Sequence, residues 1–276
     1  MWGCKLGHPF LFFIIFVHIA SSFRIKSYNL NQLSSRAPEL DCVHTSRNVS
    51  LPKEFTLCFR YKKLFDTRSR HGLMFLGSIE NGKIDYGILF GFWSWTPWLG
   101  IVYPKMNWAG LGYNAEPSLL TWIHTCLVVS LLDGTSIMYE NGVLISKKKI
   151  TFYEELGAKY PNFVAQQIYV GCDPRAKYPQ SDPGLVTDFQ IFGRKLQEID
   201  LQKWTRCDER LEGDILSWDT EDWIFNKTGN GSNIEFIDFH NDVCTKKNTS
   251  FQLFPVDMSF HKTLDLCKKV GGKMNE

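Results

Sequence analysis

With 276 residues, 44% of them hydrophobic, the chain can bury a full core. One domain of about 200 residues plus extra segments fits that length. Thirty-one basic against 29 acidic residues give a formal net charge of +2, and the one like-charge block is Lys147-Lys148-Lys149. This balance argues against a nucleic-acid partner and leaves the triplet as a solvated strand end.

Residues 1–22 read as a secretory leader. Lys5 supplies the positive start, residues 10–20 the apolar stretch, and Ala20-Ser21-Ser22 the small residues near which a signal peptidase cuts. The run is too short to span a bilayer comfortably, and no later segment approaches the roughly 18 apolar residues of a membrane helix. Four Asn-x-Ser/Thr sequons, at Asn48, Asn226, Asn230 and Asn248, agree with a secreted glycoprotein. Outside the leader stand Cys42, Cys58, Cys126, Cys172, Cys207, Cys244 and Cys267, an odd number for a compartment in which cysteines pair.

Residues 23–40 read as an extended lead-in segment with little periodicity. From residue 55 to about 218 the pattern is all-β, with strands expected at 55–61, 72–79, 86–92, 99–103, 122–131, 136–140, 143–146, 167–170, 185–192 and 214–217. Asn81-Gly82, Asp133-Gly134, Asn141-Gly142 and Pro183-Gly184 punctuate them. Asp-Gly and Asn-Gly tolerate the positive φ of a type I′ turn, so residues 122–145 should form three antiparallel strands joined by two hairpins. Cys58 and Cys126, each in the middle of an apolar strand, are natural partners for a bridge between sheets. One helix is expected, over 197–205, with Ile199 or Leu201 and Trp204 as its buried stripe. Residues 225–250, which hold three of the sequons, read as a glycosylated linker.

Phe55-Thr-Leu-Cys58, Trp122-Ile-His124-Thr-Cys126 followed by Asn141-Gly142, Gly184-Leu-Val-Thr-Asp188-Phe, Glu198-Ile199, and Gly213-Asp-Ile-Leu-Ser-Trp218 occur in that order. Together they resemble the pentraxins over residues 41–224. The resemblance implies an all-β fold, a two-sheet antiparallel jelly-roll sandwich of the concanavalin type with one short helix. It also implies a Cys58–Cys126 disulfide and a non-enzymatic recognition role toward an extracellular glycan or protein, with a ring-like homo-oligomer as a possible assembly. Val128 and Val129 stand where the family shows a hydroxyl residue and a tryptophan, so the domain grades toward laminin-G-like sandwiches. Residues 251–276, with Phe260, Leu264 and Cys267 on one helical face before Gly271-Gly272, resemble the start of a C-type lectin-like module that is cut short. Cys267 would then lack its partner. Elimination pairs Cys172 with Cys207 and Cys42 with Cys244.

Calcium is the cofactor the family resemblance brings with it, but its ligands are largely absent. The later loop reads Gly171-Cys172-Asp173-Pro174-Arg175-Ala-Lys177 and the earlier one Arg68-Ser-Arg70-His71, with cations where a hard metal needs carboxylates. Asp173 and Asp182, with Gln180, remain as candidates for a weak metal site, and no other cofactor is indicated.

Glu198-Ile-Asp200 imitates the paired carboxylates of sandwich-fold glycosidases. The third position of that pattern is Gln202, however, and on a helix residues two apart do not share a face. These acids, like Asp219, Glu221 and Asp222, read as solvated surface. The aromatic run with Phe90, Phe92, Trp93, Trp95 and Trp98 fits core or intersheet packing better than a ligand platform, although Trp93, Trp95 and Trp98 remain candidate ligand aromatics. His124 reads as a hydrogen-bonded structural residue. No catalytic set or metal-spaced cluster stands out, so no enzyme is expected.

Overall fold

The computed structural model describes residues 23–29, 42–63, 70–80, 83–93, 96–102, 106–110, 121–171, 184–226 and 233–244. Its strands are β1 (Arg24–Asn29), β2 (Cys42–Thr45), β3 (Val49–Leu51), β4 (Glu54–Lys63), β5 (Arg70–Glu80), β6 (Lys83–Trp93), β7 (Thr96–Val102) and β8 (Met106–Gly110). They continue with β9 (Trp122–Ser130), β10 (Thr135–Glu140), β11 (Val143–Lys149), β12 (Phe163–Ala165), β13 (Gln167–Val170), β14 (Gly184–Phe192), β15 (Leu216–Ser217), β16 (Trp223–Asn226) and β17 (Asn233–Asp238). Two helices, α1 (Thr151–Lys159) and α2 (Glu198–Arg206), interrupt them.

Two antiparallel sheets make the sandwich. The first runs β11-β10-β9-β4-β14-β1-β17 with β15 beside β14, and the second runs β16-β2-β13-β5-β6-β7-β8. A small β12-β3 ladder accompanies them. This is the expected all-β, two-sheet antiparallel architecture.

β4 is a central strand, and its burial is continuous rather than alternating because both faces are covered. Phe55, Leu57, Phe59 and Tyr61 belong to the core between the sheets, which also holds Met74 and Leu76 of β5 and Ile88 and Phe90 of β6. Phe59 and Phe90 meet edge-on at 5.9 Å. The intervening residues of β4 face outward beneath α2, where Cys58, Cys126, Val128, Phe192, Leu196, Leu201 and Trp204 form a second apolar cluster. The two valines that depart from the pentraxin pattern are thereby divided: Val128 packs under α2 and Val129 in the central core.

The meander β9-β10-β11 forms as expected. Asn141 (φ 51°) and Gly142 (φ 78°) both occupy the left-handed region, as a two-residue type I′ turn requires. The Asp133-Gly134 connection departs from that expectation. Only Gly134 has positive φ, the loop runs over four residues between Ser130 and Thr135, and the Asp133 carboxylate accepts the Thr135 amide at 3.0 Å.

Four further expectations are corrected. Cys58 and Cys126 are bonded, but within the first sheet rather than between sheets. They are directly opposite residues of neighbouring β4 and β9, with Cα atoms 4.1 Å apart. Cys207 is bonded to Cys244, which rules out both Cys172–Cys207 and Cys42–Cys244. Elimination failed because it treated residue 244 as lying in a linker. In fact β17 pairs with β1 along its whole length and Phe239–Cys244 closes in a π-helical turn with Phe239 and Val243 buried. The lead-in segment likewise contains β1, inserted between β14 and β17. Finally, residues 151–159 form a second helix, α1, on a short stripe of Tyr153, Leu156 and Gly157. Gly157 has no room for a side chain, since a Cβ there would lie 2.5 Å from the Leu131 carbonyl oxygen.

The outer face of the second sheet shows one packing device. The Phe75 ring lies over the opposed pair Gly77 and Gly87, where added Cβ atoms would come within 2.7 and 2.3 Å of it.

The Cys58–Cys126 bond spans 68 residues. On the chain-entropy account, removing it in a Cys58→Ala/Cys126→Ala protein lowers unfolding free energy by about 4 kcal/mol, read from urea denaturation. A loss below about 1 kcal/mol would show that strand pairing alone holds β4 to β9.

Candidate functional site: a buried arginine cluster beneath helix α2

Arg60 lies in β4 on the face covered by α2 and is 1% exposed. A buried guanidinium is costly unless each donor finds an acceptor and its charge a counter-ion. Here Nε donates to Asp188 Oδ2 at 2.7 Å, and Nη2 donates to the Trp204 carbonyl at 2.8 Å. Nη1 faces the His124 imidazole, 2.8 Å from Nδ1, and the Cys207 sulfur at 3.3 Å. The guanidinium also stacks over the indole of Trp204, 4.1 Å from its centroid, and lies 4.9 Å from the Phe239 ring.

Asp188 is fully buried and sits at φ 51°, in a bulge of β14 where Asp188 and Phe189 together oppose Phe59 of β4. Aspartate is among the few residues that tolerate this region. The bulge lets Phe189 stack on Phe59 at 6.3 Å while the Asp188 carboxylate reaches Arg60. Its second oxygen accepts from Gln190 Nε2 at 2.9 Å, and Gln190 Oε1 accepts from the Gly213 amide. Asp188 and His124 stand inside the motifs that carry the family resemblance, whereas Arg60 lies outside them. A charged residue in an apolar central strand was the available signal, because such a residue demands a partner.

His124 is opposite Arg60 in the β4–β9 register and 7% exposed. Nδ1 is 2.7 Å from the Thr205 carbonyl and Nε2 3.3 Å from the Val243 carbonyl. Burial, and then the Arg60 charge, hold its pKa down to about 4, against the pull of those carbonyls and Asp188. The ring is therefore neutral at pH 7, with one N–H to donate, and structural, packed between β9, the end of α2 and the turn before Cys244.

α2 ends as its composition asks. Lys203 and Arg206 occupy its last turn, and Cys207 caps it in the left-handed conformation with φ 60°. Arg60 adds a buried cation at the same negative end, on the Trp204 carbonyl. Leu201 and Trp204 are the buried stripe, whereas Ile199 is 55% exposed.

Glu198 and Asp200 lie on α2, as expected, and Glu198 Oε1 accepts from Gln202 Nε2 one turn on. Of the second acidic group, Asp219 pairs with Arg210, and Asp222 is exposed. Glu221 is not solvated: it is 7% exposed and paired with Arg47 at 2.8 Å. Phe90 is in the core. Trp93 belongs to β6 and Trp98 to β7, opposite Gly91, with side chains outside the described residues, as is Trp95 altogether. Cys172, Asp173, Asp182, Asn230, Asn248 and Cys267 also fall outside them, with the whole of residues 251–276. Cys42 and Asn226 are placed at strand ends without a described side chain. Asn48 stands exposed between β2 and β3. Among the described residues, no group of three or more His, Cys, Asp or Glu is placed to hold a metal ion. None of the described helices is long and apolar enough to cross a membrane.

No protein-family model and no curated protein matches the chain. Solved structures do. A heptameric SAP-like pentraxin from Limulus polyphemus matches with TM-score 0.56 and 16% identity over 77% of this chain and 94% of that one. The full extracellular region of zebrafish Gpr126/Adgrg6 matches with TM-score 0.54 and 14% identity over 77% of this chain but 26% of that one. At such identities the likeness concerns the fold alone: a two-sheet antiparallel β-sandwich shared with a pentraxin.

His124 sets the acid response. Its folded pKa of about 4 lies below the ordinary 6.5, so the unfolded chain takes up a proton first as pH falls. Stability from this group is complete above pH 6.5 and is lost between there and about pH 4, on the order of 3 kcal/mol. Glu140, whose carboxyl is raised by burial, works in the opposite sense. The difference between the parent and His124→Gln in urea unfolding across this range isolates the histidine. Parallel pH profiles would show that His124 titrates normally in the fold.

Proposed function

We propose that the chain is a secreted, non-enzymatic recognition protein whose pentraxin-like sandwich binds an extracellular glycan or protein. The observation that carries this reading is the two-sheet sandwich itself, superposable on nearly the whole length of a pentraxin. Its buried polar constellation is matched internally: Arg60 bonds Asp188 and the Trp204 carbonyl and faces His124, Asp188 takes its second bond from Gln190, and His124 lies against the Thr205 carbonyl, which fits a scaffold better than a reaction centre. Glu198 and Asp200, the one carboxylate pair that imitates a glycosidase, ride on a helix instead of a strand. The heptameric state of the Limulus protein supports a homo-oligomer as a candidate assembly here. Secretion and glycosylation rest on the leader and the sequons, of which Asn48 occupies an exposed turn suited to a glycan.

A second reading makes the sandwich the adhesive module of a larger cell-surface receptor. The match to about a quarter of the full extracellular region of zebrafish Gpr126/Adgrg6 favours it. The C-type lectin-like start over 251–276 belongs to either reading as a following module, and Asp173 and Asp182 are the candidates for a weak calcium site.

Expression in a secreting host followed by glycan and protein-ligand arrays tests the first reading, with and without calcium. The expected results are export to the medium, a mass shift at Asn48 removed by a peptide N-glycanase, and saturable binding to a defined glycan or protein class. Retention inside the cell with unmodified Asn48 would contradict it.

A further inference from the structure

The two disulfides among the described residues sit in opposite settings. Cys58 and Cys126 are 0% and 1% exposed, sealed under α2. Cys207 and Cys244 are half-buried and packed against the central core. The second bond joins the end of α2 to a strap, residues 233–244, that forms the outermost strand of the first sheet and then folds over the arginine cluster. In its strand the strap pairs with β1, and Ile237 packs against the central core. Beyond the strand it is held by the Phe239 amide on the Phe23 carbonyl (2.9 Å), the Phe239 ring beside Phe23 and Arg60, and the Val243 carbonyl facing His124.

The sulfurs of this bond are also unequal. Arg60 Nη1 donates to Cys207 Sγ at 3.3 Å. A guanidinium beside a sulfur stabilises the thiolate, and the sulfur with the better-stabilised thiolate is the better leaving group in thiol–disulfide exchange. The negative end of α2 opposes this at Cys207, but Arg60 also neutralises that end through the Trp204 carbonyl.

We propose that Cys207–Cys244 is a thiol-labile clasp, opened by a dithiol reductant at the sulfur of Cys244, and that its opening releases the 233–244 strap from the Arg60–Asp188–His124 cluster while Cys58–Cys126 stays closed. A thiolate of the reductant attacks Cys244 Sγ, the S–S bond breaks, and Cys207 departs as a thiolate against Arg60. The reductant's second thiol then attacks the mixed disulfide and releases Cys244. Two electrons and two protons pass to the protein, and the reductant leaves as its own disulfide. The consequence is a sheet with a detachable edge: β17 and Phe239 lift away, and β1 becomes the strand whose edge is open to pairing.

Titrating the secreted protein with dithiothreitol near neutral pH, quenching with N-ethylmaleimide and mapping peptides reads the clasp directly. Cys207 and Cys244 should be alkylated at reductant concentrations about tenfold or more below those that open Cys58–Cys126. In the same samples, amide exchange over 233–238 should rise about tenfold while 54–63 and 122–130 keep their protection. Glutathione used in place of the dithiol should be captured on Cys244. A Cys207→Ser/Cys244→Ser protein should show the same exchange pattern without reductant. Equal reduction of the two bonds, glutathione on Cys207, unchanged exchange over 233–238 in the open protein, or loss of protection throughout the sheet would each overturn the proposal.

Discussion

The Arg60–Asp188 pair is the interaction on which the covered face of the first sheet depends. Its two residues come from neighbouring strands, β4 and β14, and both are removed from water. Bringing two charges inside is unfavourable, and mutual attraction compensates only when the remaining donors and acceptors are also matched. Every other feature of the region supplies such a match. The bulge at Asp188 directs the carboxylate, Gln190 takes its second oxygen, and the end of α2 presents the Trp204 carbonyl. His124 fills the remaining side and stays neutral, as it must beside a buried cation. The helix is therefore seated by polar geometry at one end and by Leu201, Leu196 and Val128 along its length.

Much of this sandwich could be read from residue order. Apolar strands with Gly-containing turns gave β4, β9, β10 and β14 within a few residues, and Asn141-Gly142 specified its turn because both residues accept positive φ. What escaped has physical causes. β1 carries its buried residues at Ile25, Ser27 and Tyr28, so neither spacing nor polarity marks it as a strand. β17 shows Ile234 and Phe236 to solvent at 47% and 53% exposure, which inverts the rule that apolar residues mark the inner face. Both strands are made by pairing with partners more than 150 residues away, as Tyr28 with Val186 and Ile25 with Ile237. Missing them misplaced Cys244, and with it the disulfide pairing. The Arg60 cluster escaped for a related reason: each member looks ordinary in its own strand, and only the fold brings them together.

The strap also changes how the domain should be bounded. Tyr28 of β1 packs edge-on to Trp218 at 5.3 Å, and the Trp218 indole donates to the Lys26 carbonyl. β1 then carries β17, so residues on both sides of the pentraxin-like stretch belong to its sheet. A fragment trimmed to residues 41–224 would expose the β14 edge and strip Phe239 and Val243 from the arginine cluster. An exposed strand edge invites association with other chains, so such a fragment would aggregate.

The central claim, that Arg60 and Asp188 act as one unit, is tested most directly by a double-mutant cycle in urea denaturation with Arg60→Met, Asp188→Asn and the combination. Each single change leaves a buried group without its counter-charge and should cost about 3–5 kcal/mol. The combined variant should lose little more than either one, giving a coupling of about 3 kcal/mol. Additive losses, with a coupling below about 0.5 kcal/mol, would contradict the account and make the two charges independent residents of the same face.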